Sequence, residues 1–131
     1  MILDSSFLVS LYLPQDENHA EALATLEKNR DSELLATDMV LFETLTVVAY
    51  KGGIELARSA YSQLLSNKKL VLVFLSEQER KEILDEFLRQ EGKMSVEDIS
   101  VIRGSRKALS PALTFDRQIL QKIGKANQSG K

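Results

Sequence analysis

Met1-Ile2-Leu3-Asp4-Ser5-Ser6 opens the chain, three apolar residues running straight into an acid and two hydroxyls. Such a run reads as a short strand. Buried in the middle of a sheet, it would hold Asp4 at the strand's carboxyl end. In open α/β sheets that edge is where ligands bind. Capping a helix that begins near Ser6 is the competing role for Asp4.

Past Ser6 the pattern alternates. Phe7–Tyr12 reads as a helix closed by Pro14, and Asp16 as the cap of a second helix ending near Asn29. Leu34-Leu35-Ala36-Thr37 reads as the second strand. Asp38 is then expected to cap an apolar helix from Met39 to Tyr50, stopped by Gly52-Gly53. A helix from about Ile54 to Leu65 follows. Leu70–Leu75 has no polar break, which predicts a strand buried on both faces. Ser76-Glu77-Gln78-Glu79 matches a capping box and opens a helix to Arg89. Ser95 starts another, to about Lys107. Pro111–Phe115 reads as the fourth strand, and Asp116 opens a last helix to Ile123. Strands separated by helices need crossovers, and crossovers give a parallel sheet. The expectation is one three-layer α/β/α domain over residues 1–124, with a polar tail at 125–131.

The composition narrows the chemistry. At 131 residues, 44% hydrophobic and 27% charged, the chain is long enough for one globular core. It has no cysteine, which excludes disulfides, thiolate metal sites and a cysteine nucleophile. The one histidine, His19, stands beside Glu17 and Glu21 on a helical pattern and reads as solvated. Acid–base work without a metal therefore falls to carboxylates. The net charge of −2 does not describe a broadly basic nucleic-acid binder. No apolar run is long enough for a transmembrane helix. The first residues lack a basic leader, so no signal peptide is expected. These features predict a soluble cytoplasmic protein.

Of the 19 acids, most fall on polar helix faces; four do not. Asp4 follows a strand. Glu43 sits in Met39-Val40-Leu41-Phe42-Glu43-Thr44-Leu45, where nearly every neighbour is apolar and a buried carboxylate would need a partner or a metal. The competing placement is a solvated stripe with Thr46 and Tyr50. Asp98 shares a helix face with Val101 and Ile102, although Ser95-Val96-Glu97-Asp98 is itself a capping-box pattern. Asp116 repeats the design of Asp4, a strand ending in an acid with a hydroxyl two places away. Helix capping competes there as well.

In these motifs the chain resembles the PIN-domain family, most closely the VapC-type toxins of bacterial and archaeal toxin–antitoxin pairs. The resemblance rests on Asp4-Ser5-Ser6, on Glu43 in a helix after the second strand, on Asp98 near the start of a helix after Met94-Ser95, and on Thr114-Phe115-Asp116. It spans Met1 to about Ile123. The chain departs from the pattern at Ile102 and Arg103, where small residues are usual. It departs again at Leu109-Ser110-Pro111, where a glycine is usual, and in Gly124–Lys131, which holds no apolar run for the short fifth strand many members carry.

The resemblance implies a Mg²⁺-dependent endoribonuclease, with Mn²⁺ as the second choice of ion. Carboxylates crowded together repel unless a cation intervenes, and oxygen-only donors select hard cations. Asp4, Asp98 and Asp116 are the expected ligands. Glu43 would hold a second metal or orient water, and Ser6 and Thr114 would fix carboxylate orientation. Arg103, Arg106 and Arg117 are candidate RNA contacts, with helix-terminus charge complementation as the competing role. By the same resemblance the partners are RNA, a small antitoxin and a second copy of the chain. A receiver domain would want an aspartate where Leu75-Ser76 stands. A dinucleotide binder would want Gly-x-Gly-x-x-Gly, and a haloacid-dehalogenase phosphatase an aspartate in place of Ser6. The non-enzyme alternative is a PIN-fold scaffold that binds partners and cleaves nothing.

Overall fold

Four short parallel strands form the middle layer in the order β3-β2-β1-β4. They are β1 (Ile2–Leu3), β2 (Leu34–Thr37), β3 (Leu70–Val73) and β4 (Ala112–Leu113). The helices between and after them are α1 (Ser5–Tyr12), α2 (His19–Lys28), α3 (Asp38–Gly52), α4 (Ile54–Ser66), α5 (Glu77–Arg89), α6 (Val96–Ala108) and α7 (Arg117–Ser129). The computed structural model describes residues 1–129, with side chains as far as Gly124. Helix α1 packs on α2 and α3, and α3 on α4; α6 packs on α5 and α7. These two groups flank the sheet, so the architecture is the three-layer α/β/α sandwich expected from the sequence.

Strand β1 has only two residues, yet it is locked on both sides. Ile2 N–H donates to Pro111 O at 2.9 Å, Asp4 N–H to Leu113 O at 3.0 Å, and Leu35 N–H to Met1 O at 2.8 Å. Its central place buries Ile2 and Leu3 and fixes the backbone of Asp4 at the carboxyl edge. Helix α1 follows without a loop. Phe7, Leu8, Val9 and Leu11 are all buried, which covers most of its circumference; a helix apolar nearly all round must be interior.

Several expectations are corrected. The Leu70–Leu75 run is not a strand buried on both faces. It pairs only with β2, forms the sheet's edge, stops at Val73, and leaves Val71 and Phe74 exposed. A continuous apolar run cannot distinguish a central strand from an edge that another surface covers. Asp38 does not cap α3. Thr37 does, accepting Val40 N–H, while Asp38 is the first helical residue and only 3% exposed. It pairs with Arg80 of α5 and accepts Leu75 N–H, joining α3 to the start of α5. Asp16 likewise precedes rather than caps α2, accepting from Ser10 Oγ and Asn18 N–H. The last helix does not stop at Ile123; its backbone continues to Ser129, so the expected tail begins inside it. Residues 130 and 131 lie outside the described residues. No fifth strand is present among the described residues.

Candidate active site

The carboxyl ends of β1 and β4 are neighbours in the sheet, so the acids that follow them start close together. Asp4 occupies the N-cap position of α1 with extended backbone (φ −102°, ψ 155°), but its side chain makes no capping bond. Its Oδ2 instead accepts from Ser6 Oγ at 2.7 Å and from Thr114 Oγ1 at 2.6 Å. Phe115 N–H donates to Ser6 Oγ and Asp116 N–H to Thr114 Oγ1, both at 2.9 Å. The two hydroxyls therefore fasten one oxygen of Asp4 to the backbone after β4. The other oxygen, Oδ1, is buried and has no hydrogen-bond partner. A buried orphan acceptor costs about 1–3 kcal/mol, more when charged, so this atom needs an explanation beyond capping.

Helix α6 brings two more acids to this edge. Asp98 closes the capping box with Ser95: Asp98 N–H donates to Ser95 Oγ, and Asp98 Oδ2 accepts Ser95 N–H, each at 3.0 Å. The structural role foreseen for Asp98 is thus real. Yet burial pushes its carboxyl up from the usual range, with the charges of Asp116 and Asp4 adding to the rise against the lowering by Ser95. Three acids separated by more than a hundred residues therefore act on one another. Asp116 also gives one oxygen to a helix start, its Oδ1 accepting Gln118 N–H at 2.8 Å.

Glu97 is the acid that sequence reasoning missed. Its Oε1 accepts Ser5 N–H at 3.1 Å, satisfying from a distant helix the first free donor of α1, which an N-cap side chain, reaching the second or third helical N–H, does not serve. The Asp4 carboxylate is held by Ser6 and Thr114 instead. Burial pushes the Glu97 carboxyl up to about 8; Asp4 raises it further through its charge and through a side-chain hydrogen bond, while Ser5 opposes, so a protonated Glu97 is a donor for the Asp4 carboxylate. The signal was available: Glu97 stands three and four places before Ser100 and Val101, both buried, so it shares an inward face.

The burial argument for Glu43 is overturned. Glu43 is exposed, on a stripe with Thr46 and the 90% exposed Tyr50, while Val40, Leu41, Thr44 and Val48 form the buried face of α3. Among the candidate cations, Arg103 is ion-paired with Glu82 at 2.7 Å. It lines, with Arg106, a cavity of about 650 Å³ between α5, α6 and the sheet. Arg106 lies eight residues past Asp98, about 12 Å further along the helix at 1.5 Å per residue. Arg117 is exposed and directly follows Asp116. None of Asp4, Asp98 and Asp116 lines this cavity, whose walls combine apolar sheet residues with Glu79, Glu82 and Glu86 of α5 and the arginines of α6.

The donor set fits a hard divalent cation in its chemistry. It is all oxygen, it includes an orphaned buried acceptor, and burial with the charges of Asp116 and Asp4 pushes the Asp98 carboxyl up, the condition a cation relieves. It is not a finished coordination shell. Among the described residues no three acids stand in a metal-holding arrangement. Asp98 and Asp116 each give an oxygen to a helix start.

The profile of the PIN domain matches residues 1–126. The chain belongs to the PIN domain family. Its fold is also that of a crystal structure, VapC20 of Mycobacterium tuberculosis, which is described as a toxin that cleaves the sarcin–ricin loop. The two superpose with a TM-score of 0.81 at 20% sequence identity, covering 92% of each chain. No curated protein matches the sequence. Among the described residues of this PIN domain no helix is long and apolar enough to cross a membrane.

Proposed function

We propose that this PIN domain is a Mg²⁺-dependent endoribonuclease, the toxin of a type II toxin–antitoxin pair acting on cytoplasmic RNA. The observation that carries the reading is Asp4. It lies at the carboxyl edge of the central strand, with one oxygen anchored by two hydroxyls and the other buried and unpartnered. Capping makes no use of that oxygen; a bound cation, or the proton of Glu97 when no cation is bound, satisfies it.

Asp4, Asp98 and Asp116 are the residues that would hold Mg²⁺, with Mn²⁺ as a substitute. When bound, the ion supplies a lowered pKa for water and offsets charge building on the phosphate. The chain's own residues do the rest. Ser6 and Thr114 hold the Asp4 carboxylate in one orientation. Glu97 satisfies the first N–H of α1. Glu43 is proposed to position water and Arg117, next to Asp116, to meet phosphate beside the acids; Arg103 and Arg106, further along α6, are proposed to meet the RNA strand away from the cut.

Exposed apolar side chains support protein partners. Phe42, Tyr50, Ile54, Tyr61 and Leu65 all face solvent from α3 and α4. Patches of this kind mark interaction surfaces, in keeping with a small antitoxin and a second copy of the chain. A second reading, a PIN-fold scaffold without catalysis, is favoured by one observation: the acids do not stand in a metal-holding arrangement.

One experiment separates the two. Purified protein with Mg²⁺ or Mn²⁺ should cleave a mixed single-stranded and structured RNA substrate to products carrying 5′-phosphates. Cleavage should stop with EDTA and fall at least about 100-fold in Asp4→Asn and Asp98→Asn, the scale of losing a group aimed at the transition state. Full activity in a folded Asp98→Asn protein would end the nuclease reading.

A further inference from the structure

A second cavity, of about 430 Å³, lies between the turn after α5 and the exposed face of α7, and its walls run into the segments that carry Asp98 and Asp116. Gln90, Lys93 and Met94 form one wall; Gln118, Gln121 and Lys122 form the other. Its volume is in the range of about 300–1,000 Å³ typical of small-ligand sites. We propose that it is a nucleotide subsite: it seats an RNA residue next to the phosphodiester that is cut. This rests on the nuclease reading above.

Three observations converge. The first is position. Met94 adjoins Ser95, whose N–H donates to Asp98, and Gln118 N–H donates to Asp116 at 2.8 Å. Each wall is therefore bonded, within a residue, to one of the acids. The second is rigidity. The Gln90 side chain clamps the turn in both directions, donating to Met94 O at 2.7 Å and accepting Met94 N–H at 3.0 Å. A turn of Glu91-Gly92-Lys93 without that clamp would have no fixed wall to offer. The third is chemistry. Two lysines from different elements face the cavity against the single acid Glu91. A lysine ammonium meets a phosphate as a point charge. Gln118 and Gln121 each present an amide donor and acceptor suited to a base edge, and half-buried Met94 offers an apolar surface for the ring. The cup itself is anionic and would repel RNA. Cations within one nucleotide of it are what an acidic centre needs to hold its substrate, and Arg103 is already committed to Glu82.

The test uses the full chain with Lys93→Gln and Lys122→Gln combined, and Lys69→Gln as a control far from the acids. All three side chains are exposed, so the variants should fold; thermal midpoints check this. With a short single-stranded RNA of mixed sequence, the double variant should raise KM about 10-fold, with a smaller effect on kcat. The slope of log KM against log salt should fall by about 0.7 per lysine, the single-strand value for one lost phosphate contact. Lys69→Gln should match the parent. An unchanged KM and salt slope in the folded double variant would overturn the subsite. The same RNA, labelled, is titrated into non-cleaving Asp98→Asn protein with and without the two lysine changes. RNA bound but never cut by the parent, with binding lost in the lysine variant, would sink the nuclease reading and reduce the cavity to an RNA-binding site with no cut bond beside it. RNA neither bound nor cut would sink both.

Discussion

At the scale of single residues, the decisive contrast is between Asp4 and Glu97. Both are acids at the start of a helix, and neither caps its own: Glu97 satisfies the first N–H of α1, while Asp4 is held by hydroxyls. Crowding leaves a mark in pH dependence. The Glu97 carboxyl is pushed up to about 8 by burial and by Asp4, above its ordinary unfolded value of about 4.3. Between those values the folded chain keeps a proton that the unfolded chain has released. Stability contributed by this group is therefore full below pH 4, falls as pH rises to 8, and then levels off. The fall is bounded by about 1.4 kcal/mol per pH unit, and solvent screening of this part-exposed group brings it well below that. Glu97→Gln should remove the slope. Urea unfolding in EDTA at several pH values between 4 and 8 should give a parent that loses stability relative to the variant as pH rises. Parallel curves would mean that Glu97 is not perturbed. Asp4 and Asp116 were legible in the sequence because a strand ending in an acid is a local pattern. Glu97 was hidden because Asp98 beside it completed a capping box and drew the attention. Glu43 misled because an apolar neighbourhood in sequence does not say which stripe of the helix faces inward.

At the scale of elements, the turn between α6 and β4 shows what spacing can and cannot specify. Leu109-Ser110-Pro111 has to end a helix and start a strand at once. Leu109 does so with a left-handed backbone, φ 50°, the one positive φ outside glycine among the described residues. A branched side chain there costs roughly 1 kcal/mol that glycine does not pay. Leu109 is 89% exposed, so its removal forfeits almost no burial. Leu109→Gly should accordingly stabilise the protein by no more than about 0.6 kcal/mol, the roughly 1 kcal/mol of relieved strain less about 0.4–1 kcal/mol of added unfolded-state entropy. Denaturant midpoints at constant slope check it; a loss of stability would show that the Leu109 side chain does something the fold does not reveal. Helix starts were the legible elements. Ser76 and Ser95 cap as their spacing predicted, with both halves of each capping box formed. Order and parallel pairing followed from alternation alone. Strand limits and the edge position of β3 did not, because they depend on which neighbour arrives across the sheet, and β3 and β4 end up on opposite edges through a crossover that no local pattern encodes.

At the scale of the whole molecule, the fold gathers like charge. Asp4, Asp98 and Asp116 reach one edge from β1, α6 and the end of β4, and the charges of Asp116 and Asp4 act on Asp98. Without a cation that repulsion works against folding; a cation bound among the three acids would relieve it. Two opposite effects follow from one substitution. Without metal, Asp98→Asn removes a charge from the cluster, at the expense of one charge-assisted bond to Ser95, and should leave stability equal to or above the parent's. With Mg²⁺ or Mn²⁺ at about 100 times its dissociation constant, binding to the folded state alone should stabilise the parent by about 2.7 kcal/mol. For a chain of this size that is a rise of roughly 8–14 °C in midpoint, at about 3–5 °C per kcal/mol. The ion should move Asp98→Asn far less. Thermal scans of both proteins in EDTA and in metal therefore make a crossing pair of lines. If the ion shifts both proteins equally, it binds elsewhere on the surface. If it shifts neither, the three acids meet for structural reasons alone, and the scaffold reading takes the place of the nuclease.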